Sequence, residues 1–120
     1  MASIIENELG TIRINDDVIT QIVGHTIAEV GCYGIVGMSS KKASDGLYEL
    51  LRKENYSKGV RVSYEESGAV VVEIHVIVEY GTPIRVVADS AMDLVRYTVE
   101  NMTGQTVTRV DVVVEGVRVG

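Results

Sequence analysis

Between residues 60 and 79 the side chains alternate so regularly that they leave the backbone one arrangement. Val60, Val62 and Tyr64 alternate with Arg61, Ser63 and Glu65. After Glu66-Ser67-Gly68, residues Val70, Val72, Ile74, Val76 and Val78 alternate with Val71, Glu73, His75, Ile77 and Glu79. A period of two belongs to a strand with one face against a core. Gly68 stands where a three-residue hairpin loop needs a left-handed residue. Closing that loop with Glu65 opposite Ala69 sets Val62 opposite Val72 and Arg61 opposite Glu73. Apolar residues then meet on one face and opposite charges on the other, and a slip by one residue would destroy both matches.

Helical periods flank this hairpin. Residues 9–14 read as a short strand with Ile12 and Ile14 on one face. Asn15 or Asp16 then caps a helix in which Val18, Ile19, Ile22, Val23, Thr26, Ile27 and Val30 share a side, and Gly31 ends it. Asp17, Gln21, Gly24, His25 and Ala28 fall on the opposite side. The glycine-punctuated run from Cys32 to Ser40 reads as an apolar loop, with Ile35, Val36 and Met38 tucked inward. A short helix over residues 44–53 turns Leu47, Leu50 and Leu51 to the core. Thr82 as cap and Pro83 at the first turn open a second long helix. Ile84, Ala88, Ala91, Val95, Val99 and Met102 stripe it, and Gly104 stops it. A last strand, residues 106–114, points Val110, Val112 and Val114 inward. The predicted order is β-α-α-β-β-α-β in one α+β domain over residues 1–120, with two layers. The two long helices lie on one face of a mainly antiparallel sheet, in ferredoxin-like or KH-like order.

With 46% apolar residues among 120, the chain can build one core without a disulfide or a metal. Trp and Phe are absent, so Val, Ile, Leu and Met fill that core. No apolar run approaches the ~20 residues of a membrane helix, and the N-terminal residues 1–7 do not resemble a signal peptide. A lone cysteine, Cys32, fits a reducing compartment, so the expected location is cytoplasmic, peripheral to a membrane only through a partner.

The formal charge of −6 opposes nucleic acid and anionic lipid at long range. It is unevenly spread. Residues 41–61 hold Lys41, Lys42, Arg52, Lys53, Lys58 and Arg61 against Asp45, Glu49 and Glu54, a local balance of 6 − 3 = +3 on a chain otherwise at −9. Lys41, Lys42, Arg52, Lys53 and Lys58 are therefore candidate partner-binding residues, with a solvated helix face as the plain alternative.

The chemistry-bearing residues do not assemble into a catalytic pattern. Two His and one Cys lack any metal-ligand spacing, and no cofactor-binding loop is present. His25 lies seven residues before Cys32, about 10 Å along a helix axis, too far to activate its thiol. Cys32 reads as a buried, inert thiol. Gly34-Ile35-Val36-Gly37 has the form with which KH domains clamp a nucleic-acid backbone, but its middle residues are apolar. A KH-like nucleic-acid module using this turn and the basic segment is thus the alternative to a protein-binding scaffold. On the face of the sheet away from the helices, Val71, Ile77, Val107 and Val113 form a candidate self-association patch, with Glu73, His75, Arg109, Asp111 and Glu115 among them.

Several stretches together resemble the alkaline shock protein family of Gram-positive bacteria, in its short members without long tails. They are Gly10-Thr-Ile-Arg-Ile, Cys32-Tyr-Gly-Ile-Val-Gly-Met, Leu50-Leu-Arg-Lys-Glu-Asn, Glu79-Tyr-Gly-Thr-Pro-Ile and Val112-Val-Val-Glu-Gly-Val-Arg-Val. The resemblance implies a non-enzymatic protein of cell-envelope homeostasis and stress response. It also implies self-association and a possible membrane-anchored protein partner. It carries no catalytic residues and no cofactor.

Overall fold

The computed structural model describes residues 2–30, 34–38 and 59–119. The predicted short helix, Cys32 and the five candidate residues of the basic segment lie outside the described residues. The architecture is α+β. Strands β1 (Ala2–Asn7) and β2 (Gly10–Asn15) precede helix α1 (Asp16–His25), which continues as a π-helical turn over Thr26–Val30. Then come β3 (Ile35–Met38), β4 (Val60–Tyr64), β5 (Val70–Glu79), helix α2 (Ile84–Thr103) and β6 (Val107–Arg118).

The hairpin forms in the expected register. Arg61 faces Glu73, Val62 faces Val72, and Tyr64 faces Val70. The Glu65 N–H donates to Ala69 O at 2.9 Å, the Gly68 N–H returns to Glu65 O at 2.8 Å, and Gly68 takes φ +92°. β5 is the axis of the sheet. Its odd-numbered amides serve one edge, where His75 N–H donates to Gly59 O and Glu79 N–H to Gly34 O, each at 2.8 Å. Its even-numbered amides serve the other, where Val70 N–H donates to Thr106 O and Tyr80 N–H, just past the strand, to Arg118 O. β4 and β3 therefore lie end to end along one edge, both antiparallel, and β6 runs parallel along the other. A parallel neighbour follows from the connection, since β5, α2 and β6 form a strand–helix–strand crossover.

The core is built from aliphatic residues. Val70, Val72, Ile74 and Val76 are fully buried beneath Ile19 and Val23 of α1, Ala91, Val95 and Val99 of α2, and Val107. Burial corrects both predicted helix stripes by a fraction of a turn. Val18, Ile84 and Met102 are exposed, whereas Gly24, Val87 and Thr103 are buried. Thr103 is tolerated there because its hydroxyl donates to Val99 O at 2.7 Å. α2 ends at Gly104, whose φ of +75° suits glycine and whose N–H donates to Glu100 O.

Two strands were not expected. Residues 2–7 pair with 10–15 as a separate two-stranded sheet, its turn held by Asn7 Oδ1 accepting from the amides of Leu9 and Gly10. The stretch read as an apolar loop includes β3, which bulges between Ile35 and Gly37. Gly34 at its start has φ +98°, and a Cβ there would lie 2.5 Å from Thr82 Cγ2, so the turn and the entry to α2 fit together only around a glycine. The Gly34-to-Gly37 run is thus paired strand at both ends rather than a free phosphate-clamping loop.

This packing predicts a sharp contrast. Ile74→Ala should cost roughly 2–5 kcal/mol in urea unfolding, because it opens a cavity in a fully buried site. Val86→Ala, at a position 62% exposed on α2, should stay within about 0.5 kcal/mol of the parent.

Candidate functional site

The face of the sheet opposite α1 and α2 carries the most organised polar group among the described residues. β5 directs Glu73 and His75 to that face, and β6 brings up Glu115. His75 Nε2 lies 2.6 Å from Glu73 Oε2, and Nδ1 lies 2.7 Å from Glu115 Oε2. Only 8% of His75 is exposed. Ionised carboxylates accept and do not donate, so both contacts are hydrogen bonds only when the ring carries two N–H groups. The arrangement therefore selects the imidazolium. Burial pulls the His75 pKa down, but the hydrogen bonds and charges of Glu115 and Glu73 outweigh it and raise the pKa above its ordinary value. A ring donating from both nitrogens has no lone pair for a metal or for a substrate proton.

Around this cluster lie Val71 and Ile77, half-buried, and Val113, 36% exposed, on the face predicted for them. Val107 does not join them. It is fully buried in the core and pairs with Val70. The reason is a bulge in β6: Val70 faces Val107 but Val71 faces Arg109, so one extra residue reverses the alternation between Val107 and Val110. A second bulge sets Val76 opposite Val114 and Ile77 opposite Gly116. It leaves Glu115 beside the ring of His75. Glu115 was visible in the sequence as an outward residue, but its partnership with His75 depends on the parallel register, which alternation alone does not reveal.

Elsewhere on the molecule, a cleft of about 590 Å³ lies where β1 meets the β4–β5 turn and the start of β6. Ser3, at its wall, is buried. The Tyr64 hydroxyl, also lining it, donates to Asp16 Oδ1 at 2.6 Å. Burial and that bond raise the phenol's pKa. His25 is exposed on α1. Among the described residues no group of His, Cys, Asp and Glu is disposed to hold a metal ion, and no helix is long and apolar enough to cross a membrane.

The comparisons with known proteins agree with this picture at the level of family. Residues 4–119 match the alkaline shock protein 23 family, described by its cell envelope-related function. The chain is 44% identical over 116 residues to the uncharacterised protein YloU of Bacillus subtilis strain 168, covering 96% of this chain and 94% of that protein. It is 38% identical over 111 residues to an uncharacterised protein of Streptococcus pyogenes serotype M6, covering 92% and 89%. It is 29% identical over 113 residues to the uncharacterised protein YqhY of Bacillus subtilis, covering 94% and 81%. No solved structure matches. The chain belongs to the alkaline shock protein family, whose function is related to the cell envelope.

The His75 cluster makes stability depend on pH with a definite sign. The ring's pKa is raised on folding, so its contribution is fully present below the unfolded value near 6.5 and fades as pH rises through the folded value. An NMR titration should place the His75 midpoint above 6.5, and Glu115→Gln should lower it. A midpoint at or below 6.5 in the parent protein would show that burial outweighs the two carboxylates.

Proposed function

We propose that this protein is a non-enzymatic scaffold of cell-envelope homeostasis and stress response, working by protein–protein contact and self-association. The observation that carries this reading is the sheet face opposite the helices, where Val71, Ile77 and Val113 surround a His75 hydrogen-bonded to two carboxylates. Apolar groups around a hydrogen-bonded polar cluster give a surface both adhesive and selective, since a partner must match its polar groups or leave them unpaired. The protein is taken to act in the cytoplasm and to reach the membrane through an anchored protein partner. The basic segment, with Lys41, Lys42, Arg52, Lys53 and Lys58, is proposed as a second docking surface.

The face is tested by light scattering at high micromolar concentration. A mass above the 13.0 kDa monomer is expected, and Val71→Lys with Ile77→Lys should reduce it without loss of secondary structure. A monomeric parent contradicts self-association, and an unchanged mass in the variant moves self-association off this face.

For the basic segment, Lys42→Glu with Arg52→Glu and Lys53→Glu should weaken recovery of envelope-fraction proteins while altering stability by only about 0.5 kcal/mol. Unchanged recovery makes the segment an ordinary solvated surface.

A further inference from the structure

The edge of β6 away from β5 has a symmetry of its own. In its parallel pairing with β5, alternate β6 residues turn both backbone groups toward β5 and the residues between turn theirs away. Val70 N–H donates to Thr106 O, Val72 pairs with Val110, Ile74 with Val112 and Val76 with Val114. Arg109, Asp111 and Val113 therefore bond to β5, and Val110, Val112 and Val114 present their amides and carbonyls to the open edge. The two bulges shift this parity at each end, so that Val107 and Val117 face the open edge as well. Val107 N–H is occupied there by Glu100 Oε2 at 2.8 Å, in keeping with that direction. The outward positions 107, 110, 112, 114 and 117 read the same in both directions about Val112. No strand pairs with this edge among the described residues, and Val110, Val112 and Val114 are only half-buried.

We propose that β6 pairs antiparallel with β6 of a second copy across a twofold axis at Val112, joining two sheets into one. Val112 then meets its own counterpart and Val110 meets Val114, each pair exchanging both backbone hydrogen bonds. Both bulges fall in register, with Val107 opposite Val117. On the outer face Arg109 stands opposite Glu115 of the second copy, twice over by symmetry. The nearby axes are worse. Centred on Asp111, the pairing sets Asp111 against itself; centred on Val113, it sets Asp111 against Glu115. Centred on Val110, Arg109 meets Asp111, but the bulges no longer coincide. The Arg109 side chain is 67% exposed and bonded to Asp111 at 2.9 Å, with donors left to reach a second carboxylate. A twelve-residue strand with one edge unpaired among the described residues is a template for such pairing, and here the charges choose its register. This inference rests on the self-association proposed above and adds the β6 edge as a contact beside the sheet face.

Charge exchange tests it. Arg109→Glu sets two carboxylates opposite each other in both symmetry-related pairs, and Glu115→Arg sets two guanidinium groups there. Each variant alone should therefore dimerise about tenfold more weakly or worse. Mixed together they should form the heterodimer, because in register the two carboxylates of the Arg109→Glu chain stand opposite the two guanidinium groups of the Glu115→Arg chain in both pairs. The clean rescue is the double variant, Arg109→Glu with Glu115→Arg on one chain, which restores opposite charges in both pairs and should recover the parent's dimerisation. An independent probe places Val112→Cys on the axis in a Cys32→Ser background. Mild oxidation should link it as a dimer, because facing residues of a bonded antiparallel pair lie about 5.5 Å apart, within disulfide range. Val86→Cys, exposed on α2 away from both surfaces, should stay unlinked, and Val71→Cys reports on the sheet face. Recovery in the double variant and a Val112→Cys link support the edge even if the open-face variant keeps its mass. A dimer that links through Val71→Cys and not Val112→Cys overturns the edge and leaves the open face standing. A parent protein that stays monomeric at high micromolar concentration overturns both.

Discussion

The hydrogen-bonded length of β5 is the constraint on which the other elements depend. Ten residues long, it serves β6 along one edge and divides the other between β4 and β3, so both edges and both faces of the sheet are referred to it. Its inward valines and Ile74 are sealed by α1 and α2. With no Phe or Trp to fill gaps, the core relies on branched aliphatic residues in restricted rotamers, and the helices must close tightly on the strand. Gly34 and Thr82 show how close that fit becomes where β3 and α2 leave the sheet together.

The same strand organises the outer face. Because β6 is parallel and bulged twice, Glu115 reaches His75 from one side while Glu73 reaches it along β5. The two carboxylates raise the pKa of a ring that burial alone would lower. The result is a ring with both nitrogens satisfied, framed by Val71, Ile77 and Val113. Glu115 would also serve the edge pairing, since in the joined sheet it lies between its own His75 and a second copy's Arg109.

The β4–β5 hairpin was legible to the residue because its signals are local: strict alternation, a glycine at the loop's end, and opposite charges that tolerate one register. The α+β class and the helix stop at Gly104 were legible for the same reason. β1 was not, because Ile4 and Ile5 are adjacent and show no alternation with their polar neighbours, and the pairing depends on a turn formed by Asn7. β3 was read as a loop because glycines at 34 and 37 punctuate it. Val107 was assigned to the wrong face because a bulge breaks the rule that every second residue points the same way, and nothing in a run of valines marks where the break falls. The outward position of Glu115 followed from alternation, but its contact with His75 needed the crossover through α2.

Residue-resolved amide hydrogen exchange at two protein concentrations is the most direct test, because it reads the two edges of β6 separately. The amides of Arg109, Asp111 and Val113, bonded to β5, are expected to be protected at every concentration. Those of Val110, Val112 and Val114 should exchange quickly in dilute solution and become protected as concentration rises. Uniform protection along β6, independent of concentration, would contradict both the assigned alternation and the joining of two copies along this strand.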